Sequence, residues 1–205
     1  TNAKAPAAPA SPENGGMQSG NGLDPNAEGN QGTHGSADTS RLVVDDYGNQ
    51  YGVPQSVNTV AAVGNAAVAV LMLGGVDCLA ATDAALTSDP LAAEVFSGLD
   101  GVPALWSNDS STLNDEGLQQ LIEIHPDLCL ETSGSAILTN DQVDMLQENG
   151  ICYVVLPAPT SIANIKLIAQ TVGEILGDHT PQGGLDSVSL ADTYCAWVDS
   201  AVSDA

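Results

Sequence analysis

The groups able to do chemistry in this chain are three histidines, four cysteines and 26 carboxylates, and their spacing forms no catalytic constellation. His34, His125 and His179 are scattered, so a zinc or manganese site is not expected. Cys78, Cys129, Cys152 and Cys195 show no CxxC or other metal spacing. There is no GxSxG elbow, P-loop or HExxH run, and the Gly98–Gly101 segment is no phosphate cradle. Beyond residue 40 the only basic residues are Arg41 and Lys166, which nearly excludes a bidentate clamp on phosphate or carboxylate. These patterns point to a non-enzyme with no cofactor and no resident metal.

What remains is binding, and the elements that must position a ligand can be read from hydrophobic period and caps. Residues 41–54 read as a hairpin turning at Gly48-Asn49. Strands are expected at 57–63, 77–81, 103–106, 127–130 and 151–156. Helices are expected at 65–73, 89–96, 115–124, 139–148, 161–176 and 189–203. Leu118, Leu121 and Ile122 fall at helical offsets, Asp89 and Pro90 suit a helix start, and Gly177 suits a stop. Five short strands alternating with helices predict an α/β fold. It is a doubly wound, mainly parallel Rossmann-like sheet with helices on both faces. In such a sheet ligands sit outside the C-terminal strand ends. That rule selects Asn65, Thr82, Asp83, Trp106, Ser107, Asn108, Glu131, Ser133 and Pro157. Trp106 offers a flat apolar wall, with ordinary core packing as the alternative. Tyr47 is a weaker candidate that packs within its hairpin.

The two ends of the chain differ in material. Residues 1–40 hold no aromatic residue and are rich in Gly, Ala, Pro, Asn and Ser, which predicts a flexible tether. As a coil it would span roughly 35 Å. Residues 41–188 read as the folded lobe, and 189–205 as the start of a helix that docks on something further. The 205 residues carry 26 acidic against 3 basic side chains, a formal charge of −23. That charge argues against nucleic acid and against attraction to anionic lipid. The longest apolar stretch, 60–76, is broken by Gly64, Asn65, Gly74 and Gly75, so no span is expected there. No secretory leader is visible in the sequence. Cys129 and Cys152 lie in neighbouring expected strands. They form a disulfide if their side chains share a face, and are small core residues otherwise.

The order of the pieces is informative. It runs from the Asp46–Gly48 turn and Val53-Pro54 to Leu73–Asp77, then to His125-Pro126-Asp127-Leu128, then to Glu148–Ile151, Tyr153–Leu156, Ser161-Ile162 and Gly173–Gly177. Over about residues 41–200 this resembles the N-terminal lobe of the ABC-transporter substrate-binding proteins for siderophores, haem and cobalamin. These form the helical-backbone, cobalamin-binding-protein-like family. The resemblance implies two Rossmann-like lobes joined by one long helix, whose beginning matches 189–203, with a second lobe beyond it. It implies ligand capture outside the membrane and delivery to an ABC permease. It also implies membrane contact only through an N-terminal lipid anchor, on a cysteine that would precede Thr1.

Two positions depart from the family pattern. Residues 55–58 lack the arginine usual there. Gln119 stands where a glutamate often docks on the permease, and Glu116, one turn earlier, is the substitute candidate. The rim carries Asp83 and Glu131 and no arginine, which disfavours haem and anionic catecholate or citrate complexes. A corrinoid or a charge-neutral ferric hydroxamate siderophore fits better. The competing expectation is a tethered cell-surface interaction module without small-molecule transport.

Overall fold

A computed structural model describes residues 41–107, 113–134, 138–177, 179–180 and 184–203. The tether expectation falls on residues 1–40, outside this set.

The described chain opens with an antiparallel hairpin, β1 (Arg41–Val44) and β2 (Gln50–Val53). Asp45 organises its turn. Its carboxylate accepts the Tyr47 and Asn49 backbone N–H groups, the Asn49 side-chain amide and the buried Tyr51 hydroxyl. Five parallel strands follow: β3 (Val60–Ala62), β4 (Leu79–Asp83), β5 (Ala104–Trp106), β6 (Leu128–Thr132) and β7 (Cys152–Leu156). Their order across the sheet is β5-β4-β3-β6-β7. The chain therefore winds outward from β3 in one direction and from β6 in the other. Right-handed crossovers then place helices on opposite faces.

One face is covered by α1 (Asn65–Met72), α6 (Ile162–Leu176) and α7 (Ser187–Ser203), with the hairpin beside them. The other is covered by α4 (Asp115–Ile124) and α5 (Asn140–Glu148). Two short helices, α2 (Ala84–Thr87) and α3 (Pro90–Val95), connect β4 to β5. Local chemistry explains the starts. Asp89 accepts from Leu91 N–H with Pro90 in the first turn, Asn114 accepts from Gly117 N–H, and Thr139 with Gln142 forms a reciprocal capping box. Val60, Ala62, Leu128, Leu130, Val154 and Leu156 are fully buried in the layer beneath α1 and α6. Each large apolar side chain there contributes about 1.5–3 kcal/mol.

Where elements depart from the sequence pattern, a polar group accounts for it. Strand β3 is shorter than 57–63 because the Asp127 carboxylate takes the Asn58 and Thr59 N–H groups, at 2.8 and 3.0 Å. Strand β4 begins two residues later than expected, because Gly75–Asp77 turns as a 3₁₀ segment. The helix α2, absent from the sequence reading, starts because the Asp83 side chain accepts from Leu86 N–H. The last helix starts early, at Ser187, with the half-buried Asp186 carboxylate on the Ser189 N–H at 2.7 Å. That bond holds the Asp186 carboxyl below its ordinary range.

The Cys129–Cys152 disulfide does not form. In the β6–β7 register Leu128 faces Cys152 and Cys129 faces Tyr153, so the two thiols project to opposite sides of the sheet. Cys152 lies under α6 and Cys129 under α4 and α5. All four cysteines are free and buried.

Helices α6 and α7 meet closely at Gly173. A Cβ there would stand 2.9 Å from both the Ala191 Cβ and the Ser187 carbonyl oxygen, so only glycine allows this approach. Arg41 clamps the hairpin to the end of α6, donating to the Glu174, Ile175 and Pro54 carbonyl oxygens. A guanidinium on the last carbonyls of a helix also complements its dipole.

Candidate ligand crevice

The winding direction reverses between β3 and β6; in an open parallel sheet that is where the loops beyond the strands part into a ligand crevice. Its walls are the Gly64-Asn65 turn after β3 and the Ser133-Gly134 turn after β6. Gly64 has φ +56° and ψ −128°, a conformation that places Asn65 exposed at the first position of α1. Ser133 is half-buried and donates its N–H to the Leu156 carbonyl at 2.7 Å, which ties this wall to the end of β7. Pro157, the next residue of that strand end, is half-buried beside it.

Asp83 sits at the end of β4 and is occupied. One carboxylate oxygen accepts the Gly64 N–H at 2.7 Å and the other the Leu86 N–H at 2.9 Å. A negative charge thus already lies at the positive end of α1, where a ligand anion would otherwise be drawn. Thr82 is fully buried, and its hydroxyl has no hydrogen-bond partner among the described residues.

Trp106 ends the edge strand β5 and is only 2% exposed. Its indole packs in the layer with Ala61, Ala81, Leu113 and Leu118. The structure gives it the core-packing alternative, and Ser107, exposed, is the residue that reaches the rim at this edge. Asn108 lies outside the described residues. Glu131 is buried at 7% exposure and points into the α4–α5 layer, where it accepts a hydrogen bond from Tyr153. Burial first, then the Glu131 carboxylate, holds the Tyr153 phenol above its ordinary range. The same carboxylate, after burial, pushes the Cys129 thiol up. Tyr153 was missed in the sequence, although it stands opposite Cys129 and two positions from Glu131 in the ladder, on the same face.

Asn65, Ser133 and Pro157 thus stand just beyond the ends of β3, β6 and β7, and Asp83 at the end of β4 holds the Gly64 N–H. Ser107 lies two strands away, and Trp106, Thr82 and Glu131 lie under the surface. Glu116 and Gln119 are exposed on α4. Among the described residues no three His, Cys, Asp or Glu side chains gather to hold a metal ion. No helix among them is long and apolar enough to cross a membrane.

Two of the segments behind the family resemblance, Leu73–Asp77 and His125–Leu128, lie at the opposite end of the sheet. Asp127 joins the entries of β3 and β6, its own N–H donating to the Thr59 carbonyl oxygen at 3.0 Å. Asp77 meets the His179 imidazole at 2.8 Å, which fastens the approach to α7.

No family profile matches the sequence, and no curated protein sequence matches it. Solved structures do. The periplasmic solute-binding protein of Veillonella parvula superposes with a TM-score of 0.55 at 15% identity, over 80% of this chain and 46% of its own. The molybdate periplasmic binding protein MolA of Haemophilus influenzae gives 0.56 at 10% identity, over 76% and 49%. The petrobactin-binding protein YclQ of Bacillus subtilis gives 0.53 at 16% identity, over 80% and 51%. The described fold is the fold of periplasmic solute-binding proteins, and this chain spans about half their length. These similar proteins are binding proteins rather than enzymes.

Proposed function

We propose that the chain is a lobe of the solute-binding component of an ABC importer. It would capture a metal-chelate ligand, a corrinoid or a ferric siderophore, outside the cytoplasmic membrane and deliver it to a permease. The observation that supports this most is the crevice between β3 and β6. It lies at the C-terminal ends of the strands, where an open parallel sheet takes ligands, in a fold shared with solute-binding proteins. Binding chemistry comes from amide, hydroxyl and proline surface at Asn65, Ser133 and Pro157, with Ser107 at the margin. Asp83 at the α1 terminus favours a neutral or cationic complex over an anionic one.

The test is thermal unfolding of the purified chain with cyanocobalamin, ferrioxamine B, haem, ferric citrate or molybdate. A ligand that binds only the folded state at a hundredfold excess over its Kd adds about 2.7 kcal/mol of stability. A rise in Tm with cyanocobalamin or ferrioxamine B supports the reading. A rise confined to haem, citrate or molybdate overturns the ligand class. No rise with any of the five, in a chain extended to the length of the similar proteins, leaves the interaction-module reading, for which Gln119 in place of the docking glutamate also argues.

A further inference from the structure

The hairpin, α6 and α7 enclose a second, unrelated cleft on the covered face of the sheet. It is shallow, about 70 Å³, which is room for a head group rather than for a whole chelate. Its lining is divided by chemistry. Val44 and Val188, both exposed on the rim, and Leu167 supply apolar surface. Asp46, Glu174 and Asp192 supply carboxylates, and none of the three makes a salt bridge among the described residues. Asp45 also lines the cleft, but its carboxylate is held by the hairpin turn.

An acidic cluster alone would be a solvated face. Here a second feature points inward. Thr171 lines the cleft at 2% exposure, and its hydroxyl oxygen is buried without a hydrogen-bond partner. Buried hydroxyls are as a rule hydrogen-bonded, so this one calls for a partner in some state of the protein. Glu174 carries the matching electrostatic tension. Burial, then the Asp46 carboxylate, pushes its carboxyl up, Arg41 opposes this, and Asp45 adds to it. The Arg41 guanidinium donates to the backbone carbonyl oxygens of Pro54, just after β2, and of Glu174 and Ile175 in α6, while the carboxylates outnumber it around the cleft.

We propose that this cleft binds a primary alkylammonium group, with the ammonium on the Thr171 hydroxyl and the Glu174 and Asp192 carboxylates and the alkyl stem along Val44 and Val188. An ammonium has three donors and no acceptor, which suits one hydroxyl and dispersed carboxylates. A metal ion needs ligands gathered more tightly than this, and no such group exists among the described residues. The site is independent of the ligand in the β3–β6 crevice.

A chain this acidic attracts any cation, so the test must separate a site from an ionic atmosphere. The probe is n-butylammonium chloride, titrated into isotope-labelled protein and followed by NMR, against sodium and tetramethylammonium chlorides at equal ionic strength. The expected result is saturable shifts confined to residues around Thr171, Gln170 and Ala191, produced by butylammonium alone. Thr171→Val, which keeps the shape, and Asp192→Asn, which is exposed and leaves the core intact, each weaken binding about tenfold. Shifts that follow ionic strength with all three salts, or affinity unchanged in Asp192→Asn with the fold intact, overturn the proposal.

Discussion

The Asp83 carboxylate bridges the Gly64 N–H, at 2.7 Å, and the Leu86 N–H, at 2.9 Å, so one side chain on β4 holds both loops at the crevice edge. The Gly64 bond fixes the entry to α1, and the Leu86 bond starts α2. Asp83→Ala loses both and is expected to cost about 1–3 kcal/mol, seen as a Tm several degrees lower. Asp83→Asn keeps an acceptor oxygen for one of the two donors and is expected to lose less. An unchanged Tm in Asp83→Ala would mean that water replaces the carboxylate and that the bridge does not hold the loops.

Stability is expected to fall on the alkaline side through buried thiols and phenols, Cys78 and Tyr51 among them. Burial and then the Asp77 charge push the Cys78 thiol up to about 12, and burial and then Asp45 push the Tyr51 phenol above its ordinary 10. In both, the folded protein retains a proton that the unfolded chain releases. Their stabilisation is therefore complete below about pH 9 and is lost as pH rises, by about 1.4 kcal/mol per pH unit for each group that titrates only in the unfolded chain. Denaturant unfolding between pH 7 and 11 measures the slope. Cys78→Ala removes its own share of the part that begins near pH 9, leaving the shares of Cys129 and Cys195 and the phenol part that begins near pH 10. A slope that is the same in wild type and Cys78→Ala would refute the assignment.

The sheet and its helices were legible because their information is local. Helix α4 runs over Asp115–Ile124 as its Leu118, Leu121 and Ile122 spacing predicts, and β7 is the continuous apolar run of a strand covered on both faces. What was not legible depends on pairs distant in sequence. The pairing of Asp127 with Asn58 and Thr59, 69 and 68 residues away, shortens β3. The register that separates Cys129 from Cys152 exists only once β6 and β7 are paired. Trp106 read as a ligand wall from its place at a strand end, but which side of the strand it faces follows from an irregular β4–β5 register around Thr82 and Asp83. The cleft at Thr171 joins three elements with no sequence signature in common.

Thiol and indole accessibility test that placement. All four cysteines are buried, so a thiol reagent such as DTNB is expected to react slowly with the native chain and with four equivalents after unfolding. A reductant should leave Tm unchanged. Of the two tryptophans, Trp106 is 2% and Trp197 65% exposed. Iodide, repelled by the acidic surface, is a poor probe here, so acrylamide is the quencher of choice. Trp106→Phe is expected to leave only a readily quenched, red-shifted emission, and Trp197→Phe only a protected, blue-shifted one. Similar quenching in both variants would place the Trp106 indole at the surface and return it to the ligand wall.

The crevice itself is tested by filling it. Asn65 is exposed at the first position of α1, so Asn65→Trp adds bulk to the β3 wall without entering the core. Any ligand found to raise Tm is expected to bind this variant at least about tenfold more weakly, with the fold intact by circular dichroism. Trp106→Phe removes a buried N–H that has no partner among the described residues, so the relief of that donor offsets part of the lost packing. Its ligand affinity should stay within about twofold, because the indole lies beneath the rim. Gln119→Ala, exposed on α4, should leave affinity untouched and report only on permease contact. The opposite pattern, tight binding by Asn65→Trp and loss in Trp106→Phe, would move the ligand from the β3–β6 crevice to the β5 edge, where Ser107 is the exposed neighbour. The two sites lie on the same end of the sheet, and only this pair of substitutions tells them apart.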